Sequence, residues 1–231
     1  MIRRDYILRT IEEFIQALTR IGSLKRDRRW NEAADSLNAE FQRLIGTGAQ
    51  GVARLSETDL LARLMQDGPT RLIHEKTFIL TALLKEAGDV ATAENREEEG
   101  RNCYLKALHL LLDTLARSED FDFPDFVPRV DMLRTALEGA PLPLGTSAML
   151  MQHYERLGEF ARAEDALCAM RDAEPANERI AQFGISFYQR LQAKSDGELT
   201  SGGLPRSEVE EGLKDFQGQL KTSATAEGSH T

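Results

Sequence analysis

The stretch YERLGEFARAEDALCAMRDAEPAN, residues 154–177, decides the fold, because it is the clearest helical unit in the chain. Strand-like alternation of apolar and polar residues does not occur at convincing length anywhere in the 231 residues. Apolar residues recur instead at steps of three and four, as they do on one face of a helix. The sequence therefore predicts an all-α protein, and it raises the question whether this unit is one of several.

Outward from this stretch, the apolar periodicity and the helix-breaking residues predict a series of helices. Gly22-Ser23 ends the first helix, and the glycine-rich GTGAQG at 46–51 stops the second. Ser56 is a predicted N-cap, with Asp59 three residues on. The predicted helices, apart from the one that Ser56 begins, cover 3–22, 30–45, 71–87, 91–116 and 129–137. The loop 118–128 should be held against the body by its aromatic residues, Phe121, Phe123 and Phe126.

The chain divides at GAPLPLG, residues 139–145, whose prolines make it a stiff connector. Residues 1–138 form an N-terminal helical block, and residues 144–194 form a helical hairpin plus the helix that follows it. Residues 195–231 are too polar to bury much surface, so we expect a largely disordered, flexible tail. One short helix, 205–221, is predicted inside it, because Val209, Leu213, Phe216 and Leu220 share a face.

Composition points to a cytoplasmic protein. No apolar run approaches the ~18 residues that a transmembrane helix needs, and the start MIRRDYILRT is charged where a signal peptide is apolar. Cys103 and Cys168 lie far apart in helical patterns, which favours two reduced core residues over a disulfide framework.

Charge is distributed unevenly along the chain. Residues 1–29 carry eight Lys or Arg against four Asp or Glu, so this arm has a net charge of +4 and the remainder of the −9 chain has −13. The body should repel nucleic acid, which makes a nucleic-acid partner unlikely, but the arm could touch phosphates or acidic lipids. A solvated helix face is the simpler explanation of the arm. The apolar stripe of helix 3–22 could pack against the body or against a second copy as a homo-oligomer.

The opening stretch resembles a tetratricopeptide repeat, a helical hairpin of ~34 residues with a small contact residue and a terminal proline. Ala163 matches the small contact, Leu167 the bulky position of the second helix, and Pro175 the proline. Met151 and Met170 depart from the family pattern, which implies a wider helix crossing. Three other parts of the chain resemble such hairpins, or single helices of them, more loosely. They are residues 177–191, LLKEAGDV with CYLKALHL, and RRWNEAADSL. The resemblance implies a degenerate tetratricopeptide-like solenoid, an array of helical hairpins.

Such arrays bind partners in the groove that their first helices line. The resemblance implies a basic, amide-rich groove that could accept an acidic or C-terminal segment of another protein. Alternatively, these residues contact the tail helix 205–221 or a packed neighbour. The groove residues implied are Met149, Gln152, Arg156, Arg179, Gln182, Phe183, Ser186 and Arg190.

The whole chain, with its opening RRDYILRTIEEFIQALTRI, also resembles a family of uncharacterised bacterial proteins best known from Gram-positive species. This resemblance implies a bacterial, cytoplasmic protein and no particular chemistry.

Sequence motifs for catalysis are incomplete or absent. HEKTF at 74–78 starts like a zinc-protease helix, but Phe78 stands where the second histidine ligand belongs. The sequence has no CxxC pair, phosphate-binding glycine loop or nucleophile elbow. We therefore expect no enzyme, no cofactor and no metal.

The leading hypothesis is a non-enzymatic interaction or scaffold protein that binds a protein partner. The main alternative is a peripheral nucleic-acid or membrane adaptor that uses the basic arm 1–29. A third is a small-ligand sensor with a pocket between the two helical blocks.

Overall fold

The computed structural model describes the backbone of residues 2–65, 70–117 and 123–227, with side chains over 9, 11–65, 73–117 and 123–220. Within these ranges every regular element is a helix, twelve in number, and none is a strand. The all-α prediction is confirmed. The chain splits into two compact units, 1–141 and 142–231, and their boundary falls inside the segment 139–145.

The first unit contains seven helices within the described residues. They are α1 Ile2–Arg26, α2 Trp30–Ile45, α3 Ala49–Arg54, α4 Glu57–Met65, α5 Thr70–Ala93, α6 Glu97–Ala116 and α7 Val130–Ala136. The second unit contains five within its described part. They are α8 Leu144–Leu157, α9 Phe160–Ala173, α10 Glu178–Gln192, α11 Asp196–Ser201 and α12 Arg206–Glu227.

Three hairpins, α1/α2, α5/α6 and α8/α9, share one turn. One or two residues after each first helix, a residue adopts the left-handed conformation, and the N–H of the next residue donates to the carbonyl five residues back, a common helix-ending motif. The left-handed residues are Arg28 (φ 58°), Asn95 (φ 60°) and Gly158 (φ 75°). Their closing bonds are Arg29 to Leu24 (2.9 Å), Arg96 to Ala91 (2.8 Å) and Glu159 to Tyr154 (2.9 Å).

The second helix of each of these hairpins carries a small buried residue at the same place. Five residues after the left-handed position stand Ala33, Gly100 and Ala163, all buried. Four residues further on, each helix buries a large side chain, Leu37, Tyr104 or Leu167. The small residue lets the two helix backbones approach, and the large one fills the space beside them.

The boundary between α5 and α6 corrects the sequence prediction. A break at Gly88-Asp89 and one helix over 91–116 were expected, but α5 continues to Ala93 and the turn lies at 94–96. Gly88 faces α6 inside the hairpin, where an added Cβ would lie 2.5 Å from the Tyr104 ring. The glycine therefore marks close helix packing rather than a helix end.

Local signals predicted other boundaries well. α2 has the predicted bounds 30–45 and ends at Gly46 in the left-handed conformation (φ 76°). Ser56 caps α4 reciprocally with Asp59: the Asp59 N–H donates to Ser56 Oγ (3.1 Å), and Ser56 Oγ donates to Asp59 Oδ2 (2.7 Å). α1 instead passes through Gly22-Ser23 and ends at Arg26, which corrects the predicted end of helix 3–22.

The predicted disordered tail is wrong where the structure describes it. α11 begins with a capping box between Ser195 and Glu198, and its Leu199 is fully buried. α12 buries Val209, Leu213 and Phe216, the face that the sequence predicted, and extends past residue 221. Polar composition was misleading, because a few buried apolar side chains, such as Leu199 and Phe216, dock α11 and α12. Residues 228–231 lie outside the described part.

α12 completes a fourth hairpin with α10. Gly184 of α10 and Gly212 of α12 are the close-approach points, since a Cβ on Gly184 would lie 2.4 Å from the Phe216 ring. A Cβ on Gly212 would lie 2.4 Å from the Tyr188 ring. Within the second unit, α8 thus packs against α9, and α10 against α12.

The segment before α7 contacts α1 and α5 of the first unit through aromatic rings. Phe126 lies edge-on to Phe14 of α1, with ring centroids 5.3 Å apart. Phe123 contacts Phe78 of α5 at 5.4 Å. The prediction that aromatic side chains hold this loop is confirmed for these two residues, and Phe121 lies outside the described residues.

Candidate binding surface

The predicted groove residues lie on α8 and α10 and form two stripes, which we call together the α8/α10 stripe. Their spacing of three and four residues places each set on one side of its helix. Met149 and Phe183 are half-buried, and the other six are exposed. The stripe consists of Met149, Gln152 and Arg156 on α8, and of Arg179, Gln182, Phe183, Ser186 and Arg190 on α10.

An ion pair between Glu155 and Arg190 joins the two helices. Arg190 donates from Nε to Glu155 Oε1 (2.7 Å) and from a terminal nitrogen to Oε2 (2.8 Å). This bidentate hydrogen bond raises the pKa of Arg190 above its usual value. Sequence reasoning missed Glu155, because a pattern within one helix does not reveal which residue of another helix lies opposite. Arg190 therefore fixes the spacing of the stripe.

The tail helix lies against the other side of α10. Gly184 and Tyr188 face α12, and Tyr188 has its ring 5.7 Å from that of Phe216. Both are two residues away from Ser186, about 200° around the helix. Ser186 therefore lies on the side of α10 that faces away from α12, and the alternative that the stripe residues contact the tail helix stays a prediction. Ser186 Oγ instead donates to the carbonyl of Gln182 in its own helix (2.9 Å).

The stripe is basic inside an acidic unit. Residues 142–231 contain nine Lys or Arg against fourteen Asp or Glu, a net charge of −5. The stripe itself holds three arginines, of which Arg190 pairs with Glu155. Arg156 and Arg179 are exposed at its two ends, and the amides of Gln152 and Gln182 lie between them. This surface can donate several hydrogen bonds to an acidic ligand.

Between α9 and α10, a half-buried carboxyl accepts a hydrogen bond from a buried phenol. Tyr188 Oη donates to Glu164 Oε1 at 2.6 Å. Burial raises the pKa of Glu164 despite this bond, and Glu208 and Asp165 raise it further. Burial and the nearby carboxylate also raise the pKa of Tyr188. The pair fixes α10 against α9 and lies away from the stripe.

In the first unit, Lys25 stands three residues before the left-handed Arg28, as Glu155 stands three residues before the left-handed Gly158 in the second. Its Nζ donates to Glu86 Oε2 (2.5 Å) and contacts Asp89 Oδ2, and Lys85 Nζ also donates to Asp89 (2.8 Å). Burial would raise the pKa of Asp89, but the two lysines lower it. Tyr104 Oη donates to the other oxygen of Asp89 (2.9 Å). This network links α1, α5 and α6.

Other basic side chains of the arm 1–29 also have acidic partners in the chain. Arg9 pairs with Glu13 at 3.0 Å, and Arg29 donates to Glu32 at 2.6 Å. The apolar stripe predicted for self-association is packed within the unit at Phe14, while Ile15 is 43% exposed. Self-association through helix 3–22 stays a prediction.

A groove of about 970 Å³ in the first unit was not foreseen from the sequence. Leu37 of α2 and Val90 of α5 are buried residues that line it, and the start of α6 contributes three glutamates. Lys106 fixes α3 beside it, since its Nζ donates to the carbonyls of Val52 (3.0 Å) and Ala53 (2.6 Å). A cation is stabilised by the carbonyls at the C-terminal end of a helix, which explains why this lysine is buried.

The cysteines and histidines form no cluster in the described part. Cys103 and Cys168 are free thiols, and burial raises the pKa of Cys103 to about 11. Phe78 of the HEKTF segment is a core residue, 2% exposed. Among the described residues, no group of three or more His, Cys, Asp or Glu side chains could hold a metal ion. None of the described helices is long and apolar enough to span a bilayer.

The described residues thus define an all-α protein built from helical hairpins, with an exposed basic stripe on the second unit. Residues 1–221 match a protein family, and the chain belongs to this family of unknown function (DUF6483). No curated protein and no solved structure matches the chain.

Proposed function

We propose that the protein is a non-enzymatic interaction protein that binds a segment of another protein on the α8/α10 stripe. The observation that carries the proposal is the exposure of six polar or charged stripe residues beside the half-buried Met149 and Phe183. An apolar floor with hydrogen-bonding groups around it is the usual composition of a peptide-binding surface.

The repeated hairpin geometry supports a degenerate tetratricopeptide-like array as the scaffold. Ala33, Gly100 and Ala163 occupy the same place after the same turn, and each is buried. Parallel first helices such as α8 and α10 present a preformed surface, which lowers the entropy lost on binding. Following the resemblance to a bacterial family, the proposal places the protein in the bacterial cytoplasm.

Site-specific photo-cross-linking in the host of origin tests the proposal. A photoreactive residue replaces Ser186 on the stripe or, as the matched control, Glu210 on α12, which is also exposed. We expect a discrete protein adduct from position 186 and none from position 210, with the partner identified by mass spectrometry. Absence of an adduct from position 186, or the same adduct from both positions, would contradict the proposal.

The second part of the test changes the charge of the stripe. Arg156→Glu with Arg179→Glu reverses both exposed ends and leaves the Glu155–Arg190 ion pair intact. The control, Lys194→Glu with Lys214→Glu, makes the same change of net charge elsewhere on the unit. The adduct should disappear in the first variant and persist in the second.

A further inference from the structure

Helix α3 forms one wall of the groove in the first unit. It contributes Ala49, Gln50, Ala53 and Arg54 to the lining, beside residues of α2, α5 and the start of α6. The helix has only six residues. Because a helix of this length is not stable by itself in water, α3 depends on its contacts with the neighbouring helices.

Apolar packing holds α3 at a single side chain. Among its six residues, all of which the structure describes, Val52 is the one that is buried, with 2% of its surface exposed. The other five are half-buried or exposed. Segments with few buried apolar contacts open at a lower free energy than the whole domain. The apolar contacts alone therefore hold α3 less firmly than they hold its neighbours.

A side chain of α2 binds the beginning of α3. Asn38 Oδ1 accepts a hydrogen bond from the Ala49 N–H at 3.0 Å. Gly48 makes room for this contact, because an added Cβ would lie 2.1 Å from Asn38 Oδ1. The bond satisfies one of the N–H groups that have no partner inside a helix at its beginning.

A buried ammonium group of α6 binds the end of α3. Lys106 is 5% exposed, and its Nζ donates to the carbonyls of Val52 (3.0 Å) and Ala53 (2.6 Å). These are among the last carbonyls of the helix, which have no partner within it. Burial lowers the pKa of Lys106, although Glu57 raises it. The charged lysine thus has carbonyl partners in place of water only while α3 is docked.

The segments on either side of α3 can act as hinges. Residues 46–48 and 55–56 are irregular, and they separate α3 from α2 and from α4. Gly46 adopts the left-handed conformation (φ 76°), and an added Cβ there would meet no atom within 4 Å. A change of backbone angles in these two segments can move α3 without moving α2 or α4.

We propose that α3 is a lid on this groove, which undocks from α2 and α6 as one piece while the rest of the first unit stays folded. Lys106 holds the lid closed. On opening, its ammonium group exchanges two carbonyls for water, so the hydrogen bonds are replaced rather than lost. Opening removes one wall of the groove and exposes a cation inside it. This inference concerns the first unit and is independent of the function proposed for the α8/α10 stripe.

Native-state hydrogen exchange of the full chain, measured by NMR at low urea concentrations, tests the lid. The reporters are two amides that are bonded only within the folded lid, Val52 to Gly48 and Leu55 to Gly51. We expect them to exchange about tenfold or more faster than amides in the middle of α2 and α6. Their rates should depend little on urea, because opening of a six-residue helix exposes little surface.

Two variants identify what holds the lid closed. Lys106→Met leaves two carbonyls unpaired in the docked state, and it should accelerate exchange of the α3 amides about tenfold or more while α2 and α6 change less than about twofold. Val52→Ala should also accelerate α3 alone, because it removes the apolar contact. The matched control is Arg54→Met, which replaces an exposed cation of the same helix and should leave exchange within about twofold.

Three outcomes would overturn the inference. One is that the α3 amides exchange at the same rate as α2 and α6 and with the same urea dependence, so that α3 opens only when the whole unit unfolds. Another is that Lys106→Met exchanges like the unaltered chain. The third is a loss of protection throughout the first unit in both Lys106→Met and Val52→Ala, which would make these residues part of the common core and not of a lid.

Discussion

Gly88 and Gly22 both lie inside helices, and they differ in what a methyl group would meet. A Cβ on Gly88 would lie 2.5 Å from the Tyr104 ring, whereas one on Gly22 would have no atom within 4 Å. We expect Gly88→Ala to lower the free energy of unfolding by about 1–3 kcal/mol through overpacking. Gly22→Ala should raise it by about 0.5–1 kcal/mol, because alanine favours the helix. Urea unfolding of both variants measures the difference, and equal effects would contradict the assigned packing.

The Tyr188–Glu164 hydrogen bond gives the second unit a pH-dependent stability. Burial raises the pKa of Glu164 in the folded protein, so its contribution to stability is present below the unfolded pKa and is lost as the pH rises through the folded pKa. Tyr188→Phe removes the donor that opposes this shift. Its cost should therefore be larger at pH 7, about 1–3 kcal/mol, than at pH 4.

Glu164→Gln is the control for this linkage, because it removes the ionisable group and keeps the shape. In that background, the cost of Tyr188→Phe, measured by urea unfolding, should be the same at pH 4 and pH 7. A cost that still grows with pH would assign the dependence to another group.

At the scale of the helices, α12 holds the second unit together. Phe216 is 1% exposed, contacts the Tyr188 ring and lies under the Arg171 guanidinium, which is 5.1 Å from its centroid. We expect Phe216→Ala to cost about 3–5 kcal/mol, the usual range for a buried phenylalanine. Hydrogen exchange should then accelerate in α10 as well as in α12. Gln217→Ala, at the exposed neighbour, should change neither, and unaltered protection of α10 in Phe216→Ala would contradict the packing.

Helix ends that depend on adjacent residues could be predicted from the sequence, and those that depend on a distant partner could not. The Ser56–Asp59 cap and the end of α2 at Gly46 were predicted because both signals are local. Gly88 looked like a helix end because the Tyr104 ring that requires it is sixteen residues away. The resemblance to tetratricopeptide repeats implied the stripe residues, but Glu155 was missed, since it acts through Arg190 of another helix.

At the scale of the molecule, the same plan occurs in both units with additions that conceal it. α3 and α4 separate the two hairpins of the first unit, and α11 lies within the second hairpin of the second. The ion pair that joins the first helices has opposite polarity, Lys25 with Asp89 in one unit and Glu155 with Arg190 in the other. Charge and insertions thus differ between the units, while the turns and the small contact residues agree.

The division into two units predicts that residues 142–231 fold when produced alone. Contacts cluster within 142–231, and α8 to α12 bury a core of their own that includes Leu167, Phe187 and Phe216. We expect the fragment to be helical by circular dichroism and to unfold cooperatively in urea. Phe216→Ala should reduce its stability by the same amount as in the full chain, because Tyr188 and Arg171, which contact Phe216, are both in the fragment. A fragment without a cooperative transition would show that the second unit requires residues 1–141 to fold.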